Sequence, residues 1–280
     1  MHVSDVKIQT LLDDTFTKAD LVIDTKATKA GKVKITLSKD GKELQSVEET
    51  LAEESQYVMK VERPELWSAE SPVLYDLLLE VMDENGQVTE VIPQRVGFRR
   101  FEMKDSIMML NGKRIVFKGV NRHEFSSVSG RVVSREELIK DLVTMKQNNI
   151  NAIRTCHYPD TSLIYQLCDE YGIYMIDETN LESHGSWDVA EFTKDYTYVV
   201  PHNKQEWLDM MLDRANSMYQ RDKNHPAILI WSCGNESFGG KDIFEMSQLF
   251  RNADPTRLVH YEGLFHDRSY NDTSLSLIHI

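Results

Sequence analysis

Short runs that alternate apolar and polar residues fill the first hundred positions. In Lys32-Val33-Lys34-Ile35-Thr36-Leu37 the period of two places Val33, Ile35 and Leu37 on one face. The turn Lys39-Asp40-Gly41-Lys42 follows, and Asp83-Glu84-Asn85-Gly86 separates the runs Tyr75–Met82 and Val88–Ile92. Together with Tyr57–Val61, these runs and their Gly-containing turns predict a small antiparallel sandwich. After Phe101 the period lengthens. Ile115–Val120 reads as a strand, and Ser134-Arg135-Glu136-Glu137 is a capping box that opens a helix with Leu138, Leu142 and Met145 on one face. Strands at Ala152–Cys156, Ile173–Asp177, Ala227–Trp231 and Leu258–Tyr261 then alternate with helices at Ser162–Tyr171, Gln205–Arg221 and Asp242–Arg251. Leu208, Met211, Leu212, Ala215 and Met218 form the apolar stripe of the second of these helices. Regular alternation of this kind predicts a parallel sheet, and the lack of a Gly-rich phosphate loop favours a barrel over a nucleotide-binding layer.

Polar residues end each of these strands. The first gives Asn121-Arg122-His123-Glu124, the second Arg154-Thr155-Cys156-His157-Tyr158, the third Asp177-Glu178-Thr179-Asn180-Leu181-Glu182-Ser183-His184, and the fourth Asn235-Glu236. In a barrel all four converge on one mouth, where the chemistry of such folds is built. Two readings fit Asn235 and Glu236: a general acid/base at the mouth, or, with Ser237, an N-cap for the next helix. The recurrence of polar strand ends favours the first. Glu182 and His184 are two apart, which in an extended segment sends both side chains the same way. A third carboxylate would complete a mixed oxygen and nitrogen site for a divalent ion. His123 and His157 suit hydrogen bonding to sugar hydroxyls or to developing charge, although a lone histidine is more often a satisfied structural group, and Arg154 is expected to point inward and pair with a carboxylate.

Charge and cysteine content narrow the partners. With 32 basic and 45 acidic side chains the net charge is −13, which repels a phosphate backbone, so nucleic acid is not an expected partner. Cys156, Cys168 and Cys233 show no paired spacing, which points to a reducing, cytoplasmic setting. No apolar run reaches membrane-spanning length, so no membrane partner is expected. The acidic run Glu48, Glu49, Glu53 and Glu54 reads as a solvated surface, and Trp67–Tyr75 as packing at a domain boundary.

The motifs GVNRHE (Gly119–Glu124), RTCHYP (Arg154–Pro159), DETNLESHG (Asp177–Gly185) and RDKNHPAILIWSCGNES (Arg221–Ser237), with WSAESPVLY and VGFRRFE upstream, resemble the β-galactosidases of glycoside hydrolase family 2. The resemblance implies an immunoglobulin-like β-sandwich over residues 1–101 and the N-terminal part of a (β/α)8 TIM barrel over 102–280, about five of the eight strands. It implies retaining hydrolysis of terminal β-D-galactosides. Glu236 then matches the general acid/base and Asn235 the residue that bonds the sugar's 2-hydroxyl. Glu182, His184 and Glu236 match the ligands of a magnesium ion, and His123 and His157 match histidines that contact galactose and stabilise the transition state. Sodium is also usual in the family, with ligands largely outside this segment. Members that act on glucuronides share the Asn-Glu pair but are expected to differ after the third strand.

The resemblance also marks departures. The second carboxylate of a retaining enzyme sits about 5 Å from the first. In the family it follows the seventh strand, so this chain is expected to lack the nucleophile and to be inactive by itself. Through Thr273 the sequence keeps the family pattern, while Leu275-Ser276-Leu277-Ile278-His279-Ile280 departs from it and is expected to be a non-native tail. Other classes fit the same residues: a non-catalytic carbohydrate-binding or complementing fragment, and a metal-dependent barrel hydrolase acting on another substrate. The parent enzyme is expected to be a homo-oligomer.

Overall fold

The computed structural model describes residues 1–262, so the expected tail at 275–280 lies outside the described residues. The chain separates into two compact units, residues 1–100 with 109–114 and 223–226, and residues 101–108 with 115–222 and 227 onward. In the first unit the strands β1 (Val3–Leu12), β2 (Lys18–Ala27), β3 (Gly31–Lys39), β4 (Lys42–Leu51), β5 (Glu54–Glu62), β6 (Tyr75–Met82) and β7 (Val88–Val96) form two antiparallel sheets. Their orders are β1-β2-β5 and β4-β3-β6-β7. The chain therefore changes sheet after β2, after β4 and after β5, which is the Greek-key connection of an immunoglobulin-like sandwich.

Alternation builds this core. Along β6, Tyr75, Leu77, Leu79 and Val81 are buried while their neighbours are half-buried, and Val33, Ile35 and Leu37 of β3 and Leu21 and Ile23 of β2 join the same cluster. At the β3–β4 hairpin Asp40 and Gly41 both have positive φ (50° and 75°), the geometry that an Asp-Gly pair supports with least strain. Glu48, Glu49, Glu53 and Glu54 are exposed, and Trp67 is fully buried with its main-chain N–H donated to the Phe98 carbonyl. A small sheet of order β10-β9-β8 follows in the chain, from β8 (Phe101–Lys104), β9 (Ile107–Leu110) and β10 (Lys113–Arg114).

The second unit contains β11 (Gly119–Arg122), α1 (Arg135–Gln147), β12 (Ala152–Thr155), α2 (Ser162–Tyr171), β13 (Tyr174–Glu178), α3 (His184–Thr193), α4 (Gln205–Asp222), β14 (Ile228–Ser232), α5 (Lys241–Ala253) and β15 (Leu258–His260). The five strands are parallel and lie in chain order, β11-β12-β13-β14-β15. A doubly wound sheet reverses its order at a switch point, whereas a barrel does not. All residues of β12, β13 and β14 are buried, as expected of a parallel sheet covered on both faces.

The capping box at α1 forms as expected: Ser134 Oγ accepts from Glu137 N at 3.2 Å, and Glu137 Oε2 accepts from Ser134 N at 2.9 Å. Leu138 and Leu142 are buried, while Met145 is only half-buried. Along α4, Leu208, Met211, Ala215 and Met218 are buried, with Leu212 half-buried.

Two elements differ from the sequence reading. The strand expected at Ile115–Val120 is confined to Gly119–Arg122. Upstream of it Asn151 bonds the backbone through its side chain, accepting from Lys118 N at 2.8 Å and donating to the Val116 carbonyl at 3.1 Å, so no ladder is needed there. Helix α3 was not expected. Its N-cap Ser183 makes no side-chain capping bond and Gly185 sits in its first turn, so the usual start signals are missing.

Truncating a core position of the sandwich measures this packing. Leu79→Ala is expected to cost about 2–5 kcal/mol in urea unfolding of the full chain, and Val91→Ala, on an exposed position, under about 0.5 kcal/mol. Equal effects at the two positions would contradict the assigned inward face.

Candidate active site

Strand alternation decides which side chains meet at the carboxyl ends of the sheet. Asp177 and Glu178 are consecutive on β13 and both fully buried, so they face opposite sides. Asp177 turns toward α2, where its Oδ1 accepts from Tyr165 Oη at 2.7 Å. Burial and nearby Asp222 push its carboxyl well above the usual range. Glu178 turns the other way. Its Oε2 accepts from Arg154 Nε at 2.5 Å and from Ser232 Oγ at 2.7 Å, and its Oε1 lies 2.6 Å from His157 Nδ1. Ser232 pairs with Glu178 in the β13–β14 register and with His260 in the β14–β15 register, and its hydroxyl is 3.2 Å from His260 Nδ1. A polar row thus runs across β12, β13, β14 and β15. Arg154 behaves as expected of it, pointing inward to a carboxylate.

Beyond β14 the chain is zipped to the segment after β13. Asn235 N donates to the Leu181 carbonyl at 2.9 Å, and Glu182 and Asn235 form an isolated parallel bridge. This approach requires Gly234: its φ is 141°, and a Cβ there would stand 2.7 Å from Leu181 Cβ. Glu236 has a φ of 36°, a left-handed conformation that costs a side-chain-bearing residue energy and is held here by its surroundings. Among the latter, Ser237 N donates to Tyr261 Oη, which bonds back to the Ser237 carbonyl. The N-cap of α5 is Gly240, without a side-chain capping bond, so the capping reading of Asn235, Glu236 and Ser237 does not describe this loop.

Donor and acceptor inventories then fix Asn235. Arg154 carries donors only, so its Nη2, 2.8 Å away, faces Asn235 Oδ1. Asn235 Nδ2 donates to Glu182 Oε2 at 2.6 Å. On the other flank His184 Nδ1 lies 2.5 Å from Glu236 Oε2, and Nε2 lies 3.1 Å from Asp188 Oδ1. The hydrogen bond to Glu236, followed by the charges of Glu236 and Asp188, raises the pKa of His184 above that of an ordinary imidazole. One ligand atom each from Glu182, His184 and Glu236 falls within 4.8 Å of the others, two oxygens and a nitrogen around a common point. The sequence reading placed Glu182 and His184 in one extended segment. The structure instead puts Glu182 on a bridge and His184 at the first residue of α3, so local helix geometry and not a period of two brings them together.

His123 and His157 also meet. Their rings are edge to face at 5.5 Å between centroids, and His123 Nδ1 is 3.4 Å from Tyr158 Oη, a long contact. Arg131 covers the Tyr158 ring at 4.1 Å. His123 is exposed and His157 half-buried. The sequence reading gave no role to Glu178, Ser232, Tyr158 or Asp188. For Glu178 a signal existed: two adjacent acids closing an apolar strand must send one of them to each face.

Fold and site together define a sandwich followed by a β/α-barrel-type domain whose mouth carries paired carboxylates and imidazoles. The chain belongs to glycosyl hydrolase family 2: residues 1–99 match the family's own description, "Glycosyl hydrolases family 2", and residues 101–279 match "Glycosyl hydrolases family 2, TIM barrel domain". It is similar to the β-galactosidase of Halalkalibacterium halodurans, 59% identical over 77% of this chain and 21% of that protein. The β-galactosidase of Clostridium acetobutylicum is 49% identical over 96% of this chain and 30% of its own length. The chain therefore spans a fifth to under a third of the length of these relatives. Among solved structures, apo β-glucuronidase from Ruminococcus gnavus superposes with a TM-score of 0.78 at 25% identity, covering 92% of this chain and 43% of that one. The β-D-glucuronidase of Dictyoglomus thermophilum gives 0.77 at 24% identity, with the same coverage, a likeness of fold.

The His184 pairing has a pH signature. Because its folded-state pKa is raised, its contribution to stability is complete below the ordinary value of 6.5 and is lost as pH rises through the raised value. Replacing Glu236 by Gln removes the largest cause of that shift. Proton NMR titration of Glu236→Gln is expected to show the His184 ring titrating at lower pH than in the unmodified chain; an unchanged midpoint would contradict the pairing.

Proposed function

We propose that this chain carries the acid/base half of a retaining β-galactosidase site, on about five of the eight barrel strands. The observation that carries the reading is the convergence of Glu182, His184 and Glu236 within 4.8 Å beside an Asn235 amide whose orientation is fixed from both sides. Relatives at 59% and 49% identity named β-galactosidases favour a galactoside, lactose-type substrate over the glucuronides named for the structural neighbours. The three free, buried cysteines fit a reducing, cytoplasmic compartment. Among the described residues no helix is long and apolar enough to cross a membrane.

In this reading Glu236 protonates the glycosidic oxygen and later, as the carboxylate, takes a proton from the incoming water. Asn235 has its carbonyl engaged by Arg154 and one N–H by Glu182, which leaves its second N–H for a sugar hydroxyl, the 2-hydroxyl by resemblance. His123 and His157 form an edge-to-face pair at the same strand ends, suited to bonding further hydroxyls. The two carboxylates and one imidazole fit a divalent cation in donor chemistry and in mutual spacing. Glu182, His184 and Glu236 would hold Mg2+, which supplies positive charge beside the acid/base when bound. Sodium, implied by the same resemblance, has no assigned ligands among these residues.

The nucleophile in this account comes from outside residues 1–280. One observation favours a second reading: Glu182 and Glu236 each bring a carboxylate oxygen into one small volume, no more than 4.8 Å apart, and a retaining enzyme works with two carboxylates. Under that reading Glu182 itself attacks the sugar. The two are separated by turnover. The chain alone is expected not to hydrolyse a nitrophenyl β-galactoside, with activity appearing when a polypeptide supplying the later barrel strands is added and vanishing in Glu236→Gln. Hydrolysis by the chain alone, with a 2-fluorogalactoside covalently trapped on Glu182, would replace the first reading with the second.

A further inference from the structure

Glu178 has no place in the acid/base scheme, yet three groups converge on its side chain at the strand ends. Its carboxylate is fully buried and is met by three groups at 2.5–2.7 Å: Arg154 Nε, Ser232 Oγ and His157 Nδ1. Arg154 carries donors only, and a carboxylate carries acceptors only. Oε2 is therefore occupied as an acceptor, and Oε1 meets a ring nitrogen that must bring the proton itself. A neutral imidazole has one protonated nitrogen, and the partner of that nitrogen decides which. Nε2 of His157 has no hydrogen-bond partner among the described residues, and the side chain is 23% exposed.

We propose that Glu178 is a positioning residue that fixes the tautomer of His157, holding the proton on Nδ1 and presenting Nε2 to the site as a bare acceptor. Resting on the glycosidase reading, this gives His157 a defined polarity toward substrate: it accepts a hydrogen bond from a sugar hydroxyl and does not donate one. It also sorts roles at the mouth, with the Asn235 N–H that has no partner among the described residues as donor and Nε2 of His157 as acceptor.

The replacement Glu178→Gln tests this through a forced choice. Gln must keep its oxygen toward Arg154 Nε, since its amide nitrogen there would set donor against donor. The amide nitrogen then faces His157 Nδ1, which must give up its proton, so the ring switches to the Nε2–H form. Ser232→Ala removes one bond to the same carboxylate and leaves this logic untouched.

The experiment is long-range 1H–15N correlation on the full chain with 15N-labelled histidine, free of metal and substrate, at a pH where the ring is neutral, with His157 identified by its loss in His157→Asn. The wild type and Ser232→Ala are expected to show a pyrrole-type Nδ1 and a pyridine-type Nε2, and Glu178→Gln the reverse. A pyridine-type Nδ1 in the wild type, or the same tautomer in Glu178→Gln, overturns the proposal. Should Glu178→Gln fail to fold, the wild-type spectrum alone decides. No sugar enters the measurement, so a negative result here is distinct from failure of the glycosidase reading.

Discussion

A charge with no exposed surface, the carboxylate of Glu178, must be held at the end of a buried strand, and much of the site follows from how it is satisfied. Leaving such a group without its cation costs about 3–5 kcal/mol. Arg154 on the neighbouring strand meets it at 2.5 Å, reaching along the sheet from its register position opposite Ile176, and Ser232, its direct register partner on the other neighbour, meets it at 2.7 Å. The same guanidinium, already oriented by this pairing, reaches Asn235 and fixes its amide. Asn235 in turn holds Glu182. A constraint of burial on β13 is thus passed along hydrogen bonds to the loop after β14, where Glu236 sits.

That loop has its own constraint. Gly234 touches Leu181 where no Cβ fits, and Glu236 adopts a left-handed backbone. The close backbone approach brings the segments after β13 and β14 together, so that Glu182 and His184 from one and Glu236 from the other share a common point. His184 is balanced there between Glu236 and Asp188, and its raised pKa reports that balance. A cation at this point would compete with the imidazole proton for the same nitrogen, which ties metal occupancy and the charge of the acid/base to one small volume.

Much of this was legible in the sequence. Period-two runs such as Val33, Ile35 and Leu37 announced the sandwich because one face of each strand is buried, and regular strand–helix alternation announced the parallel sheet. The candidate residues Asn235, Glu236, Glu182, His184, His123 and His157 stood out because polar residues at the ends of apolar strands have no packing purpose, and the structure brings Glu182, His184 and Glu236 within 4.8 Å of one another and His123 against His157. What escaped depended on long-range contacts. Asn151 satisfies the backbone near Val116 from 35 residues away, so Ile115–Lys118 looks like a strand but is not one. Helix α3 lacks cap chemistry, and the grouping of Glu182 with His184 arises where α3 begins just after the bridge that Glu182 makes to Asn235, which no local period encodes.

The most direct measurement is an anomalous difference map from a crystal of the chain grown with Mn2+ as a stand-in for magnesium, collected where manganese scatters anomalously. The account predicts one strong peak bonded to Glu182, His184 and Glu236, absent in Glu182→Gln. No peak at these three residues under saturating ion would contradict it, because the convergence on which the acid/base reading rests would then not be a cation site.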